Sequence, residues 1–218
     1  MPRPRRDPAR VVLVDKADAP ATSLVVARVG PARDTPDYAA LQVMNAALGG
    51  LFTSRINMNL REEKGYTYGA GSDFNYRRGG GPFSINTTVR SDVTGAALTE
   101  VFREIERMVK EPLAGDELER ARNSQLLSLP TEFETNGGTA GAFAQIYIHG
   151  LGNDYFERLP RLLGAVDARQ VERVTRKYLA PGAMKIIAVG DRARIEPQLR
   201  KLDLGKIEVR SAQAQARR

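Results

Sequence analysis

The chain has no cysteine and no tryptophan, and it carries a single histidine, His149, among its 218 residues. Without thiols it can form neither disulfides nor thiolate metal sites. A catalytic zinc ion usually takes two or three histidine ligands at defined spacing, so one histidine argues against a self-contained zinc centre. Long apolar runs are missing too. No stretch approaches the ~18 consecutive apolar residues of a membrane span. No basic segment followed by an apolar one reads as a signal peptide. A soluble protein of the cytoplasm or the periplasm fits equally well.

The net charge of +7 invites a nucleic-acid reading until it is located. Arg3, Arg5, Arg6 and Arg10 crowd one end, and Arg210, Arg217 and Arg218 the other. With Asp7 subtracted these flanks carry +6, which leaves +1 for residues 11–209. A nucleic-acid binder places its charge on a folded face or stripe. Here the excess sits at the ends, so no nucleic-acid partner is expected.

The interior has a clear element order. Residues 11–14 and 23–29 are β-branched runs and read as two strands joined by a loop. Tyr38, Leu41, Met44, Ala47 and Leu48 form a helical face, with Gly49-Gly50 expected to end it through positive φ. A second helix repeats Phe52, Ile56 and Leu60, with Thr53 or Ser54 as its cap, and stops at Gly65. Residues 66–76 and 82–90 are extended around an Arg77–Gly81 turn, with Phe83, Ile85, Thr87 and Val89 alternating.

Helices follow. Leu98, Val101, Phe102, Ile105, Met108 and Val109 form an amphipathic stripe capped by Asp92 and closed by Pro112. Further helices are expected over 116–129, 132–150, 154–163 and 168–179, then a strand over 184–189 and a helix over 192–201. Strands on either side of a helical block predict an α+β fold, a largely antiparallel sheet with helices packed on one face. One domain is expected over 10–202. The basic flanks are 1–9 and 203–218, the second with a short strand near 204–209.

The stretch Leu48–Gly69 is the informative one. Arg61 falls in the last turn of a helix, Gly65 caps it and Tyr66 opens the next strand. Two readings are open. A guanidinium and a phenol held at a helix–strand corner could converge on one point with little entropy left to lose. Equally, a basic residue near a helix C-terminus complements its dipole, and an aromatic after a glycine cap packs as a hydrophobic contact. Tyr68 lies two residues on, so strand alternation places it on the same side as Tyr66. Arg55 reads as a packing or pairing residue, and the acidic run Asp116-Glu117-Leu118-Glu119 as a solvated first helical turn. His149, before Gly150 at a helix end, reads as a cap for helix carbonyls.

Leu48-Gly49-Gly50, Ser54-Arg55, Leu60-Arg61-Glu62 and Gly65-Tyr66-Thr67-Tyr68 together resemble the signature of the insulinase/pitrilysin-like (M16) zinc metallopeptidases. Pro36-Asp37-Tyr38, Asp116-Glu117-Leu118, Pro130–Thr135 and Val189-Gly190-Asp191 fall in that family's order and spacing, so the resemblance spans about residues 10–202. It implies an M16 peptidase half of LuxS/metallohydrolase-like fold. Family members resemble a clam-shell of two homologous halves. The first carries His-x-x-Glu-His and a distant Glu for zinc, and the second has lost its ligands. No His-x-x-Glu-His occurs here, since His149 is followed by Gly150-Leu151-Gly152-Asn153. The resemblance is therefore to the inactive, C-terminal half.

This resemblance implies roles for three residues. Arg61 and Tyr66 would reach across to the zinc site of the other half, hold a peptide substrate and donate to the scissile carbonyl as it becomes an oxyanion. Tyr68 is the alternative phenol for catalysis and substrate binding. Zinc is expected in the partner half and no metal ligand here. The partner would be a homologous zinc-bearing half, on the same precursor or a separate subunit. A second implied role is a structural core subunit of a processing complex, with no peptidase part.

Overall fold

The computed structural model describes residues 10–212; the flanks 1–9 and 213–218 lie outside the described residues. Six strands form one mixed sheet: β1 (Val11–Asp15), β2 (Ala21–Val29), β3 (Thr67–Phe74), β4 (Pro82–Arg90), β5 (Lys185–Gly190) and β6 (Ile207–Ser211). Their spatial order is β3-β4-β2-β5-β1-β6. The pairings β3–β4, β4–β2 and β2–β5 are antiparallel, whereas β1 pairs in parallel with both β5 and β6. Thus β1 and β2 do not pair with each other; β5 lies between them. The short strand expected near 204–209 forms at 207–211 and closes that edge.

Among the described residues, eight helices accompany the sheet. They are α1 (Tyr38–Asn45, continued through a wide π turn, Ala46–Gly50), α2 (Arg55–Asn57, continued through a second, Met58–Glu63), α3 (Thr94–Lys110), α4 (Gly115–Ser128), α5 (Asn136–His149), α6 (Tyr155–Gly164), α7 (Ala168–Tyr178) and α8 (Arg192–Lys201). A 3₁₀ turn over Leu129–Phe133 separates α4 from α5, which delays α5 relative to the expected start at 132. Among the described residues, no helix is long and apolar enough to cross a membrane.

The core forms where strand alternation meets the helical stripes. Val11 and Leu13, Leu24 and Val26, Phe83, Ile85 and Val89, and Ile186 and Ala188 are all buried. Leu41 and Met44 of α1, and Leu98, Val101, Ile105 and Met108 of α3, pack in the same cluster. The other sheet face carries exposed polar residues such as Ser23, Asn86 and Thr88. Helices thus cover one face.

Three local expectations fail for identifiable reasons. Gly49 and Gly50 are absent from the positive-φ residues; the helical path runs through them as a wide turn. Gly49 is small because β3 passes close by: a Cβ there would lie 2.5 Å from Ser72 Oγ and 2.6 Å from its backbone nitrogen. Asp92 does not cap α3, because its carboxylate binds Arg90 instead. Ser54 precedes α2 in the cap position, but its hydroxyl is buried without a partner.

One ion cluster fixes α1 to α7. The Asp37 carboxylate is almost fully buried and accepts from Arg173 (2.6 Å), Lys177 (2.8 Å) and the Tyr178 hydroxyl (2.9 Å). Burial alone would raise its pKa, but these donors win and hold it at about 2.

Candidate functional site

The helix–strand corner of 55–68 is built on buried α2. Ile56 and Leu60 are fully buried, while Phe52, expected on the same stripe, precedes the helix and is 58% exposed. Gly65 adopts the left-handed conformation (φ +62). The Gly65 N–H donates to the Arg61 carbonyl (3.1 Å) and the Tyr66 N–H to the Leu60 carbonyl (2.9 Å). This closes the helix in the manner of a Schellman cap, one residue wider because the last turn is itself wide. A side chain with a Cβ is disfavoured at Gly65 by its φ alone.

Three polar clasps hold this helix. Arg55, nearly buried, donates through Nε and Nη2 to both oxygens of Glu117 at 2.7 Å, and through Nη1 to the Glu111 carbonyl at 3.2 Å. That satisfies the pairing reading of Arg55. It corrects the solvated reading of Glu117, which faces α2 from the first turn of α4. Asn59 donates to Glu100 (3.0 Å) and Glu104 (2.7 Å), both buried on α3. Arg103 and Arg107 pair with these carboxylates from the solvent side. Asn57 spans from the Phe52 carbonyl (2.7 Å) to the Ala70 N–H (3.1 Å), which ties α2 to β3. None of these partners was legible from local sequence, since they lie 41 to 62 residues away for Asn59 and Arg55.

On this base, Arg61 and Tyr66 leave one corner on either side of the Gly65 cap. The Arg61 side chain is 39% exposed and pairs with Glu62 at 3.2 Å. Its guanidinium carbon lies 4.6 Å from the centre of the exposed Phe52 ring. Such stacking orients the fork while leaving N–H groups toward solvent. Tyr66 is half-buried and packs against the core. Tyr68 is 99% exposed.

The alternation argument that placed both phenols on one side does not apply. Tyr66 precedes β3, and the β3–β4 register is irregular between Thr67 and Ala70. Thr67 Oγ1 lies 2.8 Å from the Gly69 carbonyl and 2.7 Å from that of Thr88, either of which can take its one proton, and accepts from the Gly69 N–H (3.1 Å), which holds that irregularity. A bulge of this kind re-aims the side chains around it.

His149 ends α5 before left-handed Gly150, as expected, but its Nδ1 is buried without a hydrogen-bond partner and caps no carbonyl. Among the described residues, no group of three or more His, Cys, Asp or Glu could hold a metal ion. The donor set of the described residues therefore does not fit a zinc ion.

The family model of the peptidase M16 inactive domain matches residues 1–125. The chain belongs to this family. The M16 inactive domain from Pseudomonas fluorescens is 28% identical with a TM-score of 0.77, over 84% of this chain and 44% of that one. A protease from Helicobacter pylori is 18% identical with a TM-score of 0.77, over 85% and 45% of the two chains. The complex III₂ structure from Candida albicans contains a chain 11% identical, with a TM-score of 0.73, over 89% of this chain and 49% of that one. No curated protein matches the chain. This M16 chain thus spans about half the length of the solved chains named here.

Proposed function

We propose that this chain is the non-catalytic half of an M16 zinc metallopeptidase, completing the peptide cavity of a zinc-bearing half with Arg61 and Tyr66. The supporting observation is the corner itself. A solvent-reaching guanidinium and a half-buried phenol flank one glycine cap on a helix clasped by α3, α4 and β3. A residue that needs only to pack does not require such anchoring, whereas a donor that must meet a forming charge does.

In this reading zinc in the partner half supplies Lewis-acid polarisation and an activated water. The work of this chain is positional. Arg61, braced by Phe52 and Glu62, offers N–H groups to substrate carbonyls. The Tyr66 hydroxyl donates to the carbonyl oxygen as negative charge grows on it. Packing of the Tyr66 ring against the core limits the reorganisation that donation would cost. Tyr68, fully solvated, is the alternative phenol and a substrate-facing side chain.

The structural-subunit reading draws support from the likeness to a complex III chain. Retention of both Arg61 and Tyr66 favours the peptidase reading. The test is reconstitution. The full chain is mixed with a zinc-bearing M16 half from the same source, and peptide hydrolysis and association are measured together. Association with a large gain in hydrolysis over either half alone supports the proposal. Association without any gain supports the structural reading.

A further inference from the structure

The segment between β2 and α1 buries a cation that pairs with no carboxylate among the described residues. Arg33 is 8% exposed. Among the described residues no Asp or Glu pairs with it; its side chain's hydrogen bond is from Nη2 to the Tyr155 hydroxyl at 2.6 Å. That uses one of five guanidinium N–H groups. Its guanidinium carbon lies 3.5 Å from the centre of the Tyr38 ring, 4.9 Å from Tyr155 and 5.9 Å from Tyr76. Burial raises the pKa of all three phenols, that of Tyr155 to about 12, so none supplies a counter-charge.

Further polar atoms nearby are unmatched. The Tyr76 hydroxyl and His149 Nδ1 are both buried without partners. Burial first, then the positive fields of Arg33 and Arg78, lower the pKa of His149. Asp34 and Glu132 are the carboxylates whose fields reach this cluster, and neither pairs with Arg33, whose guanidinium stays buried without a carboxylate partner among the described residues. Buried charges are ordinarily paired, because an unpaired one is costly to desolvate.

This pocket is not sealed. Arg33, Tyr38 and Tyr155 face a cavity of about 340 Å³, with Arg158 and Gly150 also on its wall. Arg158 is half-exposed and held by Asp154 at 2.7 Å. Asp34 also borders the cavity but is exposed and makes no ion pair with Arg33. The cavity lies beyond the end of β3 marked by Tyr76. Tyr66 precedes the other end of that eight-residue strand, about 26 Å away at strand rise. It is separate from the corner described above.

We propose that this cavity is a binding site for a small oxyanion, a carboxylate or a phosphate, which Arg33 takes through its unused N–H groups between the Tyr38 and Tyr155 rings. A planar fork suits either anion, and aromatic walls favour a ligand whose charge is concentrated at one end. Arg158, paired with Asp154 at the mouth, would reach an entering anion only by exchanging that partner.

The chain's single histidine makes the test direct. His149 adjoins the cavity wall at Gly150, so its imidazole C–H signals form a unique NMR reporter. The full chain is titrated with inorganic phosphate and, separately, with succinate, at ionic strength held constant with chloride. The expected result is a saturable His149 shift with one-to-one stoichiometry by calorimetry for at least one of the two. The tighter of the two identifies the source of the anion. Arg33→Met should weaken that binding about tenfold or more, and Arg158→Ala, which alters an exposed side chain, by a smaller factor. Should Arg33→Met fail to fold, the wild-type titration and Arg158→Ala still decide. No saturable shift with either anion in the wild-type protein overturns the proposal, as does unchanged affinity in a folded Arg33→Met.

Discussion

Arg55 and Glu117 meet through two parallel hydrogen bonds of 2.7 Å, and this fork joins the helix that carries Arg61 to the first turn of α4. The Arg55 side chain is only 7% exposed while that of Glu117 is 33% exposed, so the two ends of the pair are not equivalent. Removing the carboxylate strands a buried guanidinium. Removing the guanidinium leaves a carboxylate that water can reach.

Glu117→Ala should accordingly destabilise the fold by about 3 kcal/mol, the scale for breaking a buried pair from one side. For a chain of this size that corresponds to a Tm lower by roughly 6–12 °C. Replacing both residues, as Arg55→Met with Glu117→Leu, should recover part of the loss. Urea unfolding of the three variants measures it; a Glu117→Ala cost below about 0.5 kcal/mol, the range of ordinary surface changes, would show the fork to be ornamental.

Tyr66→Phe removes one hydroxyl and little volume, so stability should hardly change. In the enzyme reconstituted with its zinc-bearing half, turnover should fall by about 10²–10³-fold, as for other oxyanion donors. Arg61→Ala should weaken substrate binding as well. Tyr68→Phe should be milder. The readout is kcat and KM beside thermal unfolding for each variant. A large loss with Tyr68→Phe and none with Tyr66→Phe would move the donor role to the exposed phenol.

Asp37 predicts a pH signature. Its carboxyl is lowered from 3.8 to about 2 by the donors of α7 despite burial. Stability from this site is therefore fully present above the unfolded value and is lost as pH falls through the folded one. The amount is about 2 kcal/mol. Unfolding free energies measured between pH 5 and pH 2 should drop in the wild type. Asp37→Asn should start lower and drop less; equal slopes would remove the assignment.

Gly49→Ala tests the close approach of α1 and β3. The added methyl would meet Ser72 Oγ at 2.5 Å and its backbone nitrogen at 2.6 Å, so a strand must move. Overpacking of this kind costs about 1–3 kcal/mol. Ser72→Gly should not rescue it, because the nitrogen remains. Chemical denaturation of the single and double variants decides.

Local signals carried most of the element boundaries. The last helix lies at 192–201 as expected, and the structure adds that the Asp191 carboxylate caps it by accepting from the Ala193 N–H, a local signal the expectation did not use. Strand β4 was equally plain, since Phe83, Ile85, Thr87 and Val89 are buried in strict alternation along an interior strand. The corner residues Arg61 and Tyr66 were found through a motif, not through physics alone. What sequence could not supply was pairing across the fold. Asp37 finds its donors 136 to 141 residues later, Arg55 finds Glu117 on α4, and the Thr67–Ala70 irregularity breaks the alternation on which the comparison of Tyr66 and Tyr68 rested.

The insertion of β5 between β1 and β2 has a consequence for how the chain comes off the ribosome. Strand β1 is complete at Asp15, yet both strands that pair with it, β5 and β6, begin at Lys185 and Ile207. At about 5–20 residues per second, β1 would wait roughly 9–34 s of synthesis for its first neighbour. During that time the buried side chains of Val11 and Leu13 have no native sheet to join. A nascent chain stalled at residue 180 should therefore hold the three-stranded β2–β4–β3 part without the rest of the sheet, and its first strand should stay open to proteases and chaperones until β5 and β6 emerge.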